Sequence, residues 1–258
     1  MINIQKSLRI VPVEQMILHE HEEPLRLEAI VQAIKQEKIL RHPIMVLEMK
    51  KNLYLVIDGV HRYLSLKRLG YKHIPCQIVE ESQVQIHAWS HVVKKGPWLK
   101  KLIKREEYGC QESEIGGSNY IVRITEKDSK KSLYLYRTDE QVLGVQQILK
   151  VCSNIIQNYI DRERIVRVGE LDHRILDENF VRIDFPRFTL SDIYRLSRAG
   201  CLMPTGITHF LITGRILNLQ IPLEVLKGSS DENRGWDLLI KNWDSKLRYY
   251  SEPIYICE

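Results

Sequence analysis

The 258-residue sequence contains no apolar run near the ~20 residues that a membrane helix needs. Its start lacks the apolar stretch and small-residue cleavage site of a signal peptide, so a cytoplasmic protein is expected and a membrane or secreted one is not. Cysteine is scarce. Cys76, Cys110, Cys152, Cys201 and Cys257 are odd in number and each lies more than 30 residues from the next. That spacing disfavours a disulfide framework and a Cys-x-x-Cys zinc site, and free thiols in a reducing compartment are the expectation. A strong charge of one sign is missing too: 38 Lys and Arg stand against 33 Asp and Glu, a net of +5 that does not demand a nucleic-acid partner. Repeats and low-complexity segments are absent. What is there, 44% apolar and 28% charged, is the composition of a folded globular chain. At roughly 150 residues per domain the length gives one or two domains.

Periodicity places the elements. Residues 7–17 read as an opening strand, followed by the polar cluster His19-Glu20-His21-Glu22-Glu23. Pro24 suits a first helical position, and Leu27, Ile30, Val31 and Ile34 recur at helical spacing, which predicts a helix from Pro24 to Lys38. Ile44–Met49 and Leu53–Ile57 read as a hairpin, Val60–Leu69 as a helix stopped by Gly70, and Ile74–Val79 as a strand that Pro75 assigns to an edge or a strand start. A helix is expected over Gln83–Val93 and a polar connection over Gly109–Gly117. A hairpin of Asn119–Thr125 with Lys131–Tyr136 follows, then a long amphipathic helix from Val145 to Tyr159. Ser191 is the expected N-cap of a further helix. Strands at Ile207–Ile212 and Ile216–Ile221, a helix near Glu232–Leu247 and a strand at Ile254–Cys257 complete an α+β chain. A soft boundary near residue 105 divides it into domains 1–105 and 106–258.

The strongest chemical signal is Ile57-Asp58-Gly59-Val60-His61-Arg62-Tyr63, where an apolar strand meets a helix. Gly59 permits an unusual backbone angle and close approach of a ligand. The first N–H groups of a helix lack internal partners and sit at its positive end, so an anion is favoured there. His61 and Arg62 add donors, and Asp58 suits a magnesium ion bridging phosphate oxygens. Alone, a strand–Asp-Gly–helix junction is also an ordinary turn. Read the same way, Glu20 is one acid of an exposed cluster, His87 and His91 are two histidines four apart, and Trp89 belongs to a core. Thr208 and His209 open a strand after the turn Pro204-Thr205-Gly206. The basic residues between 94 and 105 read as a solvated face rather than a nucleic-acid contact.

The Asp58-Gly59-x-His61-Arg62 segment resembles the ParB/sulfiredoxin-like superfamily, in which this loop is a nucleotide-phosphate site. Sulfiredoxins carry a catalytic cysteine where this chain has Val60. Partition proteins carry a Gly-Glu-Arg-Arg type motif and a helix-turn-helix domain, and neither is evident. The free L-serine kinases carry Asp-Gly-x-His-Arg with an upstream glutamate, and the likeness to them covers nearly the whole chain. It includes Leu8-Arg9-Ile10-Val11-Pro12-Val13, Glu23-Pro24-Leu25-Arg26-Leu27, Gly206-Ile207-Thr208-His209-Phe210 and Gly214–Leu223. Residues 105–190 are the least recognisable.

The resemblance implies an N-terminal ParB/sulfiredoxin-like domain and a C-terminal α+β domain closing the cleft. It implies transfer of a nucleotide phosphoryl group, from ATP or ADP, to free L-serine, giving O-phospho-L-serine for a staphyloferrin B-type siderophore. Glu20 is the implied base and Asp58 the implied Mg2+ holder. Gly59, Val60, His61 and Arg62 would cradle phosphates with Thr208 and His209, the latter where an Arg is more usual. Trp89 and His91 would border the serine pocket. A regulator of another class, binding DNA under nucleotide control and responding to haem, is the alternative, and the resemblance also admits a homodimer.

Overall fold

The computed structural model of the protein describes residues 3–116, 120–137, 144–160, 162–169, 172, 177–226 and 234–249. Among them the chain runs α1 (Ile4–Ser7), β1 (Leu8–Pro12), β2 (Met16–Leu18), α2 (Pro24–Glu37), β3 (Ile39–Leu40), β4 (Ile44–Lys50), β5 (Leu53–Asp58), α3 (Val60–Arg68) and β6 (His73–Val79). It continues through β7 (Val84–Ala88), β8 (Ser90–Lys94), α4 (Pro97–Ile103), β9 (Tyr108–Ser113), β10 (Val122–Glu126), β11 (Ser132–Arg137) and α5 (Val145–Ile156). The last elements are β12 (Ile165–Val168), β13 (Phe180–Asp184), α6 (Leu190–Arg198), β14 (Thr208–Ile212), β15 (Ile221–Pro222) and α7 (Arg234–Asp244). This is the α+β architecture expected. Two compact units emerge, neither continuous in sequence. The first draws its described residues from Met1–Met16, Pro24–Glu80 and Gly214–Glu258, the second from Ile17–Glu23 and Glu81–Thr213.

The first unit is built on a mixed sheet in which β1, β6, β4 and β5 are neighbours in that order. β4 is apolar along both faces instead of alternating: Ile44, Met45, Val46 and Leu47 are each at most 1% exposed. Such a strand must be covered on both sides. α2 starts at Pro24 as its spacing predicts and ends because Lys38 turns to φ 56°. α3 buries Val60, Tyr63 and Leu66 and is stopped by Gly70 at φ 85°, with the Tyr71 amide reaching back to the Leu66 carbonyl. Pro75 does not make β6 an edge, since β6 pairs with β1 and β4. The parallel ladder to β4 begins only at Cys76, so the missing proline N–H falls before it.

The second unit carries an antiparallel sheet of order β12-β8-β13-β10-β11-β9 and a separate pair, β14 with β7. The helix expected over Gln83–Val93 is instead β7 and β8. Its apolar residues fit both periods, a known ambiguity of short runs, and pairing decides. β8 lies between β12 and β13 and is buried on both faces from Ser90 to Val93. The polar stretch after Gly109 belongs to the edge strand β9, held by its ladder to β11 rather than by apolar content. Ile216–Ile221 forms only the two-residue β15, because Asn218 and Gln220 adopt φ 56° and 50° and break the extended backbone. The cap of α6 is Thr189, whose hydroxyl accepts from the Asp192 amide, two residues before the expected Ser191. The expected strand at Ile254–Cys257 lies outside the described residues. Among those described, no helix is long and apolar enough to cross a membrane.

Candidate active site

Asp58 ends β5, and Gly59 turns the chain into α3 at φ 90°. Only glycine suits this position. The angle strains any L side chain, and a Cβ would stand 2.9 Å from Arg62 Nη2. The turn lets Arg62 curl back, with Nη2 donating to Asp58 Oδ2 at 3.1 Å and Nη1 to the His42 carbonyl at 3.4 Å. Arg215 donates through Nη1 to the same carboxylate oxygen at 3.0 Å. Burial would raise the Asp58 carboxyl, but the Arg62 and Arg215 guanidiniums and the Gly59 amide outweigh it and hold the group below its ordinary value. The carboxylate is still 34% exposed. Val60 and His61 turn inward and are 2% and 7% exposed, so neither side chain faces outward from the loop, and the positive end of α3 lies at its first turn.

Arg215 is delivered by a strap that the first unit grips from below. The buried Gln77 holds it at two points, donating through Nε2 to the Gly214 carbonyl at 2.7 Å and accepting from the Ile216 amide at 2.8 Å. Three residues on, the Asn218 amide donates to His42 Nδ1 at 2.8 Å. Arg215 therefore sits between two fixed backbone points, and little freedom is left for its Cα.

Glu20 lies in the second unit, on a short strap of its own. The Met203 amide donates to the His19 carbonyl at 2.8 Å and the His21 amide to the Met203 carbonyl at 2.9 Å, with Glu20 bridging Met203 in parallel between them. Thr205 Oγ1 donates to the His21 carbonyl, and the Gly206 amide donates to Glu20 Oε2 at 3.3 Å. The carboxylate is only 16% exposed. It is held by backbone, not waving in an acidic loop.

The other expected site residues gather around the same turn. Trp89 and His209 stack with ring centroids 3.8 Å apart and planes 20° from parallel. The Trp89 amide donates to the Ile207 carbonyl at 3.0 Å. Thr208 is buried and donates to Met203 Sδ at 3.0 Å. His91 is fully enclosed, with Nε2 2.9 Å from the Gly206 carbonyl and Nδ1 2.9 Å from the Tyr159 hydroxyl. A carbonyl can only accept, so Nε2 carries the proton and Tyr159 donates to Nδ1. Burial lowers the His91 pKa to about 4, and the ring is neutral at physiological pH. His87 and His91, four apart, lie on separate strands and present no shared helix face.

The ParB N-terminal domain family matches residues 5–90. Over its whole length the chain is 34% identical to the ATP-dependent L-serine kinase SbnI of Staphylococcus aureus (strain NCTC 8325 / PS 47), covering 100% of both chains. The chain belongs to the ATP-dependent L-serine kinase family. The solved structure of SbnI with a C-terminal truncation from Staphylococcus aureus matches with a TM-score of 0.83 at 32% identity, over 94% of this chain and 99% of that one. A free serine kinase in complex with AMP shares the fold, with a TM-score of 0.66 at 18% identity over 85% of this chain and 93% of that one.

In this member of the serine kinase family, three charged residues at these two places were not singled out from sequence. Arg215 and Glu23 were visible only as parts of motifs without a role, Glu23 also as one acid in a cluster. Arg167 falls in the stretch that resembles the family least. Each contact spans far: Arg215 reaches Asp58 across 157 residues, and Arg167 reaches Glu23 across 144. No local periodicity encodes such a pairing.

Proposed function

We propose that the protein phosphorylates free L-serine with ATP, giving O-phospho-L-serine. What carries the reading is the full-length identity with an ATP-dependent L-serine kinase. Nucleotide phosphates are assigned to the Asp58–Arg62 loop, where the positive end of α3 and the Arg62 guanidinium suit an anion. Thr208 and His209 are read as further phosphate contacts. Glu20 is assigned to orient the serine hydroxyl and accept its proton, a role for which its backbone-held carboxylate is suited. Trp89, held by its stack on His209, is read as a wall of the serine pocket. His91 would act through Gly206, whose carbonyl it holds, and so shape that pocket.

Among the described residues no three His, Cys, Asp or Glu side chains gather as a metal cage. Asp58 alone, partly exposed and already paired with cations, fits a magnesium ion that arrives with the nucleotide, since that ion commonly uses one or two carboxylates plus substrate phosphates. Bound there, it would neutralise charge on the transferring phosphoryl group. The reading calls on neither haem, DNA nor a second copy of the chain. O-phospho-L-serine carries a leaving group on Cβ and suits a replacement reaction, which fits the supply of a diaminopropionate-containing siderophore. The test is mass spectrometry of the full chain with ATP, magnesium and L-serine. Serine-dependent appearance of O-phospho-L-serine is expected, and ATP turnover indifferent to serine would overturn the assignment.

A further inference from the structure

The first unit holds a cavity of about 510 Å³ at the end of α3 away from the Asp58–Arg62 loop. The nine residues of α3, roughly 13 Å at ~1.5 Å per residue, separate the two places. The cavity lies between the corner that joins β1 to β2 and the turn from α3 into β6. Backbone fixes its rim. The Val13 amide donates to the Lys72 carbonyl at 2.9 Å, and the Tyr63 hydroxyl donates to the Val13 carbonyl at 3.4 Å. Gly70 turns the chain at φ 85°, and the Gly70 and Tyr71 amides donate to the Lys67 and Leu66 carbonyls. Two of the last carbonyls of α3 are thereby occupied, which blunts the negative end of the helix.

The lining divides by chemistry. Val13, Met16 and Tyr63 supply an apolar floor, with Met16 and Tyr63 buried. Glu14, Lys67, Tyr71 and Lys72 border the same space, and among the described residues none of these four side chains has a hydrogen bond or an ion pair. Their neighbours on α3 differ: Arg62 is paired with Asp58 and Arg68 with Glu28. Two ammoniums and one carboxylate around one cavity sum to a single positive charge. We propose that the cavity binds a small aromatic carboxylate, with its ring against Tyr63, Tyr71 and Met16 and its anionic group between Lys67 and Lys72. Aromatic faces and a thioether favour a flat ring. Ammoniums act as point charges and need no planar fork, so one carboxylate satisfies both. A phosphate dianion overshoots the charge and meets Glu14. The volume lies within the roughly 300–1,000 Å³ of small-molecule pockets, and a rim already fixed by backbone keeps the ordering cost low. The site is distinct from the loop assigned to nucleotide phosphates.

The test titrates the full chain calorimetrically with 2-naphthoate, its uncharged analogue 2-naphthamide and 2-naphthyl phosphate. One-to-one binding of 2-naphthoate is expected, tighter than that of either analogue and unchanged by saturating ATP. Lys67→Gln and Lys72→Gln should each weaken it up to about 5-fold, as for an exposed ion pair, and Tyr71→Ala should weaken it as well. The lysines are exposed, so the double variant should fold and keep the wild-type rate of serine phosphorylation, which checks its integrity. Equal affinity for naphthamide and naphthoate would overturn the proposal, and so would an unchanged affinity in the lysine double variant. Displacement by ATP would place the anion in the nucleotide site instead, and a lack of saturable naphthoate binding would end the proposal outright.

Discussion

Two guanidiniums share one oxygen of Asp58, and this sets what single substitutions at the loop should do. Arg62→Ala removes a charge-assisted contact worth about 1.5–3 kcal/mol, so calorimetry should show nucleotide affinity falling roughly 10- to 150-fold. Arg215 would still hold Asp58 in place, so the variant should fold. Unchanged affinity would remove Arg62 from the phosphate site. Glu20→Gln keeps the Gly206 amide contact but not the proton acceptor, and serine-dependent turnover should drop ~100- to 10,000-fold while nucleotide affinity holds. Near-normal turnover would end the role of Glu20 as base. At this scale the sequence was partly legible. Asp58 to Arg62 could be read because their chemistry is local to one turn. The acidic cluster around Glu20 reads as solvated because its cover comes from Met203 to Gly206, far along the chain.

Elements with one strong period were read well, and those whose pattern fits two periods were not. α2, α3 and the β4–β5 hairpin follow from apolar spacing and from Pro24 and Gly70, whereas β7 and β8 were hidden in a stretch that scans as helix. The strap after β14 shows a third case. It contains apolar residues at strand spacing, yet left-handed Asn218 and Gln220 keep it from pairing until Ile221. Its attachment is polar and rests on Gln77. Replacing Gln77 by Leu would keep the volume but release the exposed Gly214 carbonyl and leave the buried Ile216 amide without its partner, the latter at a cost of about 1–3 kcal/mol. Thermal unfolding of Gln77→Leu should therefore begin several degrees lower, and nucleotide affinity should weaken as Arg215 loses its fixed base. A wild-type melting curve would mean that the strap is held by other contacts.

For the protein as a whole, acid should be destabilising through a specific group. His91 is buried and neutral with a pKa near 4, against 6.5 in an unfolded chain. Between those values the unfolded state binds the proton and the folded state does not, so stability falls as pH drops from about 6.5 toward 4 and is unaffected above that window. The full difference corresponds to about 3 kcal/mol. Melting temperatures of wild type should decline across that range, and a folded His91→Gln variant should lose most of the slope. An equal slope in both would place the acid sensitivity elsewhere. The interleaving of the two units has a further result, which concerns the order in which the chain is made. Arg215 leaves the ribosome 157 residues after the aspartate that it pairs with, roughly 8 to 30 s later at ~5–20 residues per second. Throughout that interval the nascent chain carries the Asp58 loop but neither the strap nor its arginine. On the proposed assignment of the loop to nucleotide phosphates, full-strength binding is expected only when synthesis is nearly over, and a ribosome stalled before residue 214 should display a chain that binds ATP more weakly than the released protein.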